Sequence, residues 1–447
     1  MTPRRILIVS QHRVGTRMAG PAIRYYNFAR ELAKTHAVTL MVPAPADIAM
    51  EGIEVVEARF HGGRAFPGFA AQFDVVVAQH LLPWTMRKLA KEPIRVIYDL
   101  YDPFLFENLG LFAVQETSKR YQDSLLRANS LTQEIALATG DAFICASDRQ
   151  RDLWLGVLGS LGRLTRDEYR RDPSLRALID VVPFGLPAEP PVKREPVLKG
   201  VVPGIAAEDR VLLWGGGIWN WFDPLTPIRA VARLAQRRDD VKLYFLGVQH
   251  PHPETEEMGM EAAAVALAEE LGVLDRSVFF NRGWVPYERR ADFLLEADLG
   301  ISAHFDNIET RFAFRTRMLD YLWAGLPVVT TRGDVLAEVV EERGLGRPIA
   351  EGDLDGWVRA IEQLLDDEAE YEAAARAVAD VRGQYAWPRA IRPLAELVSG
   401  EGEPAPARSA GKVVRYAWLS LVAGVLKRGF RDAFARAFQM VRKPRVP

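Results

Sequence analysis

The sequence is short of cysteine, of net charge and of long apolar runs, and each shortage closes off a class of function. Cys145 is the only cysteine in 447 residues, which rules out an internal disulfide framework and thiolate metal clusters and fits a reducing compartment. It sits in the apolar run 142–145 (AFIC), the setting of a buried small residue rather than of a nucleophile. Lys and Arg number 57 against 59 Asp and Glu; a net charge of -2 gives no global field to recruit nucleic acid, so any polyanion is held locally. No run reaches the ~20 apolar residues of a membrane span, and the N-terminal run 5–10 (RILIVS) is too short for a secretory signal. The expected compartment is the cytoplasm.

What is present is alternation. Run 5–10 has the continuous apolar character of a parallel strand covered on both faces. Gly15 and Gly20-Pro21 then mark a loop, followed by a helical pattern and a second strand at 38–42, a βαβ unit with glycines at the strand-to-helix crossing. It is not GxGxxG, and glycine there often serves only the turn. Strand-like runs recur at 53–56, 73–78, 95–98, 141–146 and 180–182, with a long helical stretch at 117–138. A second series starts at 211–214, runs through Gly215, Gly216 and Gly217, and adds strands at 241–246, 278–280 and 299–302 between helical patterns.

The expected fold is therefore α/β: two tandem Rossmann-like doubly wound domains, at 1–185 and 210–384. A proline- and glycine-rich linker (186–209) joins them, and a crossover helix (385–399) follows. Two such sheets in tandem make the cleft between their carboxyl ends the expected site. The chain closes with 400–447, a linker and a basic amphipathic tail. Its apolar side includes Trp418, Leu426, Phe430 and Phe434, and Asp432 is the only acid from Lys412 onward. The expectation is that 412–445 lies on an anionic membrane surface, the inner face of the membrane; the other reading docks it on protein.

One stretch carries most of the chemistry: 309–334, ETRFAFRTRMLDYLWAGLPVVTTRGD. It passes from an arginine-rich entry into a short helix, stops at Gly325 and restarts as a strand. A helix opening near Arg315 leaves unpartnered N–H groups and about half a positive charge at its tip, an anion site. Arg315 and Arg317 would add guanidinium donors, the Thr316 hydroxyl another, and Asp320 one turn further would accept two vicinal hydroxyls. A nucleotide diphosphate with its ribose fits that pairing. The plainer reading makes the arginines a solvated face and pairs Asp320 with Arg317 at i, i+3.

In this order, Gly15 and Gly20, VPFG (182–185), Gly215-Gly216, FNRGWV (280–285) and LDYLWAGLPVV (319–329) resemble the retaining, nucleotide-sugar-dependent glycosyltransferases of the GT-B fold, family 4 type. The likeness covers residues 4–399. It implies a hexosyltransferase working on cell-surface polysaccharide, with a nucleotide-diphosphate sugar as cosubstrate and no other cofactor or metal. The acceptor would be a glycan, a lipid-linked saccharide or a small molecule. Asp320 matches the second carboxylate of the family's E-x7-E motif, on the ribose. Residues 314–316 would face the diphosphate, Gly283, Trp284 and Val285 the nucleobase, and Gly15 and Gly20 the donor phosphate from the first domain. Asp99 or Asp102 stands where the family often places its acid/base residue.

Two departures stand out. Phe312 occupies the first glutamate of the motif, leaving Glu309 or Asp306 as replacements on the donor sugar. The arginine and lysine that follow the GG turn in the family are absent, so Arg315 and Arg317 would neutralise the diphosphate, with Arg311 and Arg282 in reserve. His12, His80 and His304 are further acid/base or sugar-contacting candidates, each more readily structural. The competing functions are a sugar-nucleotide epimerase of the same fold and a non-catalytic, membrane-associated glycan binder. Phe312 favours the binder.

Overall fold

The computed structural model describes residues 3–16, 18–58, 65–102, 104–114, 118–247 and 259–400. They form two units, one made of the described residues up to Pro183 with those from Ala390 onward, the other Phe184–Arg389. The tail expected on a membrane, 412–445, lies outside the described residues. Among those described, no helix is long and apolar enough to cross a membrane.

The first unit is built on seven strands: β1 (Arg5–Val9), β2 (Ala37–Pro43), β3 (Glu54–Ala58), β4 (Val75–Ala78), β5 (Arg95–Asp99), β6 (Ala142–Cys145) and β7 (Ile179–Val181). They lie in the order β3-β2-β1-β4-β5-β6-β7, every pair parallel. The valine- and isoleucine-rich runs are buried along their length because helices cover both faces. Ile6 of β1 stands opposite both Val38 of β2 and Val75 of β4. At that strand the order reverses, which opens a crevice at the carboxyl ends.

The second unit repeats the plan with β8 (Arg210–Trp214), β9 (Val241–Phe245), β10 (Val278–Phe280), β11 (Leu299–Ser302), β12 (Val328–Thr331) and β13 (Gly346–Ile349). The order is β10-β9-β8-β11-β12-β13, again parallel. Leu212 stands opposite Leu243 of β9 and Leu299 of β11, so this sheet turns at β8. Trp214, Phe245, Ile301, Val329, Trp357 and Ile361 knit strands and helices into one core.

Two segments are organised differently from the sequence expectation. Residues 186–209, read as a linker, are tied into the second unit. The backbone N–H groups of Val197, Leu198 and Lys199 donate to the buried Glu296 carboxylate at 3.2, 2.6 and 3.0 Å, and Trp323 Nε1 donates to the Glu189 carbonyl at 2.7 Å. Proline and glycine removed the periodicity there, not the packing. The stretch 385–399 is two short helices, Trp387–Ala390 and Arg392–Ser399, the second opening on Pro393. Trp387 packs on Phe184 in the second unit, ring centroids 5.3 Å apart, and the chain passes into the first unit from Ala390 onward.

Candidate functional site

At the carboxyl ends of β8 and β11 three segments meet: the Gly215–Gly217 loop, Ala303 with His304, and the helix Thr316–Ala324. The helix buries Met318, Leu319, Tyr321, Leu322 and Trp323, and it ends at Gly325, whose φ of 78° is the left-handed cap that glycine adopts without strain. Tyr321 is the fastener. Its hydroxyl accepts from the Gly215 N–H at 2.8 Å and lies 2.9 and 2.7 Å from the Leu213 and Ile301 carbonyl oxygens. Burial pushes that hydroxyl up to about 12. Gly300 is required beneath it, since a Cβ there would lie 2.3 Å from the tyrosine ring.

The two arginines expected on the diphosphate have different surroundings. Arg315 is in a buried bidentate pair with Glu309, Nη1 to Oε1 at 2.9 Å and Nη2 to Oε2 at 2.6 Å, with a further contact to the Thr310 hydroxyl at 3.1 Å. Its charge is already answered, and Glu309, expected as a replacement on the donor sugar, is fully engaged. Arg317 lies across the rings of Trp214 and Phe222, 4.5 and 4.0 Å from their centroids. Its Nη2 donates to the Gly217 carbonyl at 2.8 Å, and its buried Nη1 has no partner. Among the described residues no carboxylate pairs with it. Burial pulls its pKa down to about 10, so it remains a cation at neutral pH.

Asp320 does not pair with Arg317. It accepts from Arg290 Nε at 3.0 Å through Oδ1, and its side chain is 35% exposed. Arg290 was not singled out in the sequence; it is 30 positions away, on the short helix Arg290–Leu294. His304 and Asp334 are buried together, Nε2 to Oδ2 at 2.8 Å, while Asp334 Oδ1 caps the helix Val335–Arg343 through Leu336 and Ala337 N–H. Burial works to raise the Asp334 carboxyl, but the hydrogen bond to His304, together with the Arg315 charge and the Ala337 N–H, holds it below the usual range. Gly216, Gly247 and Trp284 are adjacent, a Cβ on Gly247 lying 3.5 Å from both the Trp284 ring and the Gly216 backbone. The Gly283 N–H donates to Asn281 Oδ1 at 3.3 Å, and Val285 is half-buried beside it.

In the first unit, Asp99 is clamped by Arg24, Nε to Oδ2 at 2.7 Å and Nη2 to Oδ1 at 3.0 Å, both side chains 0% exposed. Burial pushes its carboxyl up against the pull of Arg24. Both oxygens of the Asp99 carboxylate are thus engaged in the core, which sets it apart from Asp102, the other acid/base candidate. Asp102 is half-buried, and its charge adds to burial in keeping the Tyr101 hydroxyl protonated. The space over Gly15 is filled by the exposed Asp47 carboxylate, which also accepts from the Thr16 hydroxyl at 3.3 Å. Gly20 opens the helix Gly20–Leu32. Burial holds the His80 imidazole below its ordinary value, and Cys145 is a buried thiol that burial pushes upward.

Residues 209–367 match the family model "Glycosyl transferases group 1". The match lies within the second unit. No curated protein matches the chain in sequence. Among solved structures, WaaG, a glycosyltransferase involved in lipopolysaccharide biosynthesis, is similar at TM-score 0.61 and 17% identity, over 88% of this chain and 100% of that one. Sucrose-phosphate synthase from Thermosynechococcus elongatus is similar at 0.59 and 16%, over 88% and 98%. HepE from Anabaena, solved in complex with UDP-glucose, is similar at 0.59 and 15%, over 89% and 99%. The fold is thus GT-B, and in the second unit the arginine-bearing helix follows the switch point where ligands of such sheets bind.

Proposed function

We propose that the protein transfers a sugar from a nucleoside diphosphate sugar to a hydroxyl of a glycan, lipid-linked or small-molecule acceptor. The group moved is a hexose and the anomeric configuration is retained. The observation that carries this reading is Arg317. A buried cation without a paired carboxylate costs several kcal/mol, and Arg317, in the first turn of a helix after the switch point, has a buried Nη1 with no hydrogen-bond partner, while the peptide N–H groups of that turn also await an anion. A diphosphate supplies the missing charge and accepts the unmade hydrogen bond. Departure of that diphosphate is the hardest step, so a fixed cation at the developing charge stabilises the transition state most.

In this reading Asp320 holds the ribose hydroxyls and Gly283, Trp284 and Val285 receive the base. Gly215 and Gly216 keep the loop after β8 free of side chains, and the Thr316 hydroxyl donates to phosphate. Arg317 takes the larger share that was expected of Arg315 and Arg317 together, because Glu309 neutralises Arg315. Asp102 serves as the acid/base group on the acceptor side, and Gly15 and Gly20 approach the donor phosphate once Asp47 swings aside. The tail 412–445 rests on the anionic inner face of the membrane.

The competitor is a sugar-nucleotide epimerase of the same fold, which would need no acceptor. The test is a screen of UDP-, GDP- and dTDP-sugars, first by thermal stabilisation and then by turnover with and without added acceptor. Stabilisation by one nucleotide and acceptor-dependent release of the diphosphate are expected. Free epimer formed without acceptor, or no stabilisation by any donor, would overturn the reading.

A further inference from the structure

Arg290 is held more firmly than a surface arginine has reason to be. Its guanidinium lies 3.7 Å from the centroid of the Tyr287 ring and 4.5 Å from that of Trp323. Nη1 donates to the Tyr287 carbonyl at 2.7 Å. Trp323 is itself tethered through Nε1 to Glu189. An aromatic cage removes the side-chain freedom that makes most arginine contacts weak and keeps the planar donor set in one orientation. What that orientation presents is Nε, 3.0 Å from Asp320 Oδ1. Burial works against the Arg290 charge, but Asp320 and Tyr287 outweigh it and raise its pKa.

The contact uses one carboxylate oxygen of two. Among the described residues Arg290 is the only side chain paired with Asp320, which leaves Oδ2 and the second lone pair of Oδ1 as acceptors on a half-exposed side chain. Two acceptors at carboxylate spacing match two neighbouring hydroxyls, whereas a single hydroxyl leaves one unused. An Asp320 free to rotate would offer that pair of acceptors only part of the time.

We infer that Arg290 is a positioning residue: it fixes the Asp320 carboxylate for a vicinal diol and so makes the site select ribonucleoside over deoxyribonucleoside diphosphates. This rests on the donor reading above and adds a substrate class to it, with UDP and GDP favoured over dTDP. Arg290 itself touches no substrate.

The experiment measures binding of UDP and GDP, and of their 2′,3′-dideoxy counterparts, to the full-length protein and to Arg290→Gln and Arg290→Lys. The wild type is expected to prefer the ribo form of whichever base binds by roughly tenfold or more, two hydrogen bonds to a charged group being at stake. In Arg290→Gln the preference falls to within about threefold while affinity for the dideoxy form is unchanged; Arg290→Lys, which keeps charge but loses the planar Nε, is intermediate. A full ribo preference in Arg290→Gln overturns the inference. So does an equal loss of both forms, the sign of a merely structural role, or a wild type that binds nucleotide without ribo preference. If Arg290→Gln does not fold, Arg290→Lys is read by the same ratio. A wild type that binds neither nucleotide removes the donor reading and this one with it.

Discussion

Arg24 in the first unit and Arg317 in the second are both buried guanidiniums lying across aromatic rings, Arg24 over Phe28 and Tyr101 at 4.6 and 4.8 Å. They differ in what meets the charge. Arg24 has the Asp99 carboxylate in a bidentate pair and the Pro183 carbonyl at 3.2 Å. Arg317 has one carbonyl, a buried Nη1 without a hydrogen-bond partner, and the Asp334 charge acting on it only through space. Rings alone do not repay the loss of water around a cation, so a fold keeps such a group only where a carboxylate completes it or a ligand does. The first arrangement is complete within the fold; the second leaves one buried donor unpaired.

The largest effect should come from breaking the closed pair. Asp99→Ala leaves Arg24 uncompensated in the core and is expected to cost about 3–5 kcal/mol, measured by urea unfolding. If Asp99 is instead the acid/base group, the variant keeps its stability and loses only turnover. Glu309→Gln tests the intermediate case of Arg315. A loss of about 3 kcal/mol is expected, at the low end because the Thr310 hydroxyl and the Phe222 ring remain. Unchanged stability with weakened binding of the donor sugar would return Glu309 to the site.

An effect of similar size, seen only at alkaline pH, concerns Tyr321, the neutral neighbour of Arg317. Ionised, it would be the missing counter-anion, but burial raises its pKa from 10.0 to about 12. The folded value lies above the unfolded one, so this contribution is fully present below pH 10 and is lost as pH rises through the folded value, about 3 kcal/mol in all. Other buried tyrosines titrate in the same window, so the quantity to compare is the difference between wild type and Tyr321→Phe. The variant should be slightly less stable at pH 7 and have a flatter alkaline slope between pH 10 and 12. Parallel slopes would show that Tyr321 is not held neutral.

Much of this architecture was legible because it rests on local pattern. Apolar runs marked the strands, and Gly325 marked the end of the short helix after the arginine-rich entry. The pairings were not legible. Arg315 and Glu309 are six positions apart across the extended break at Ala313, so no helical spacing rule joins them. Asp320 finds Arg290 on another helix, and Asp99 finds Arg24 75 positions away. The sequence therefore showed an arginine-rich tip but not which arginine is spent internally. The packing of 186–209 was not legible for a related reason: irregular chain can be as firmly hydrogen-bonded as a helix when one carboxylate, Glu296, collects its N–H groups.

The most direct measurement is Arg317→Gln, followed by nucleoside diphosphate binding and by urea unfolding on the same preparation. The predicted result is a loss of affinity on the order of tenfold to a hundredfold, with stability unchanged or raised because an unanswered charge has left the interior. Full affinity together with a loss of stability would mean that Arg317, like Arg24, is already satisfied within the fold, and would contradict the claim that it awaits a diphosphate.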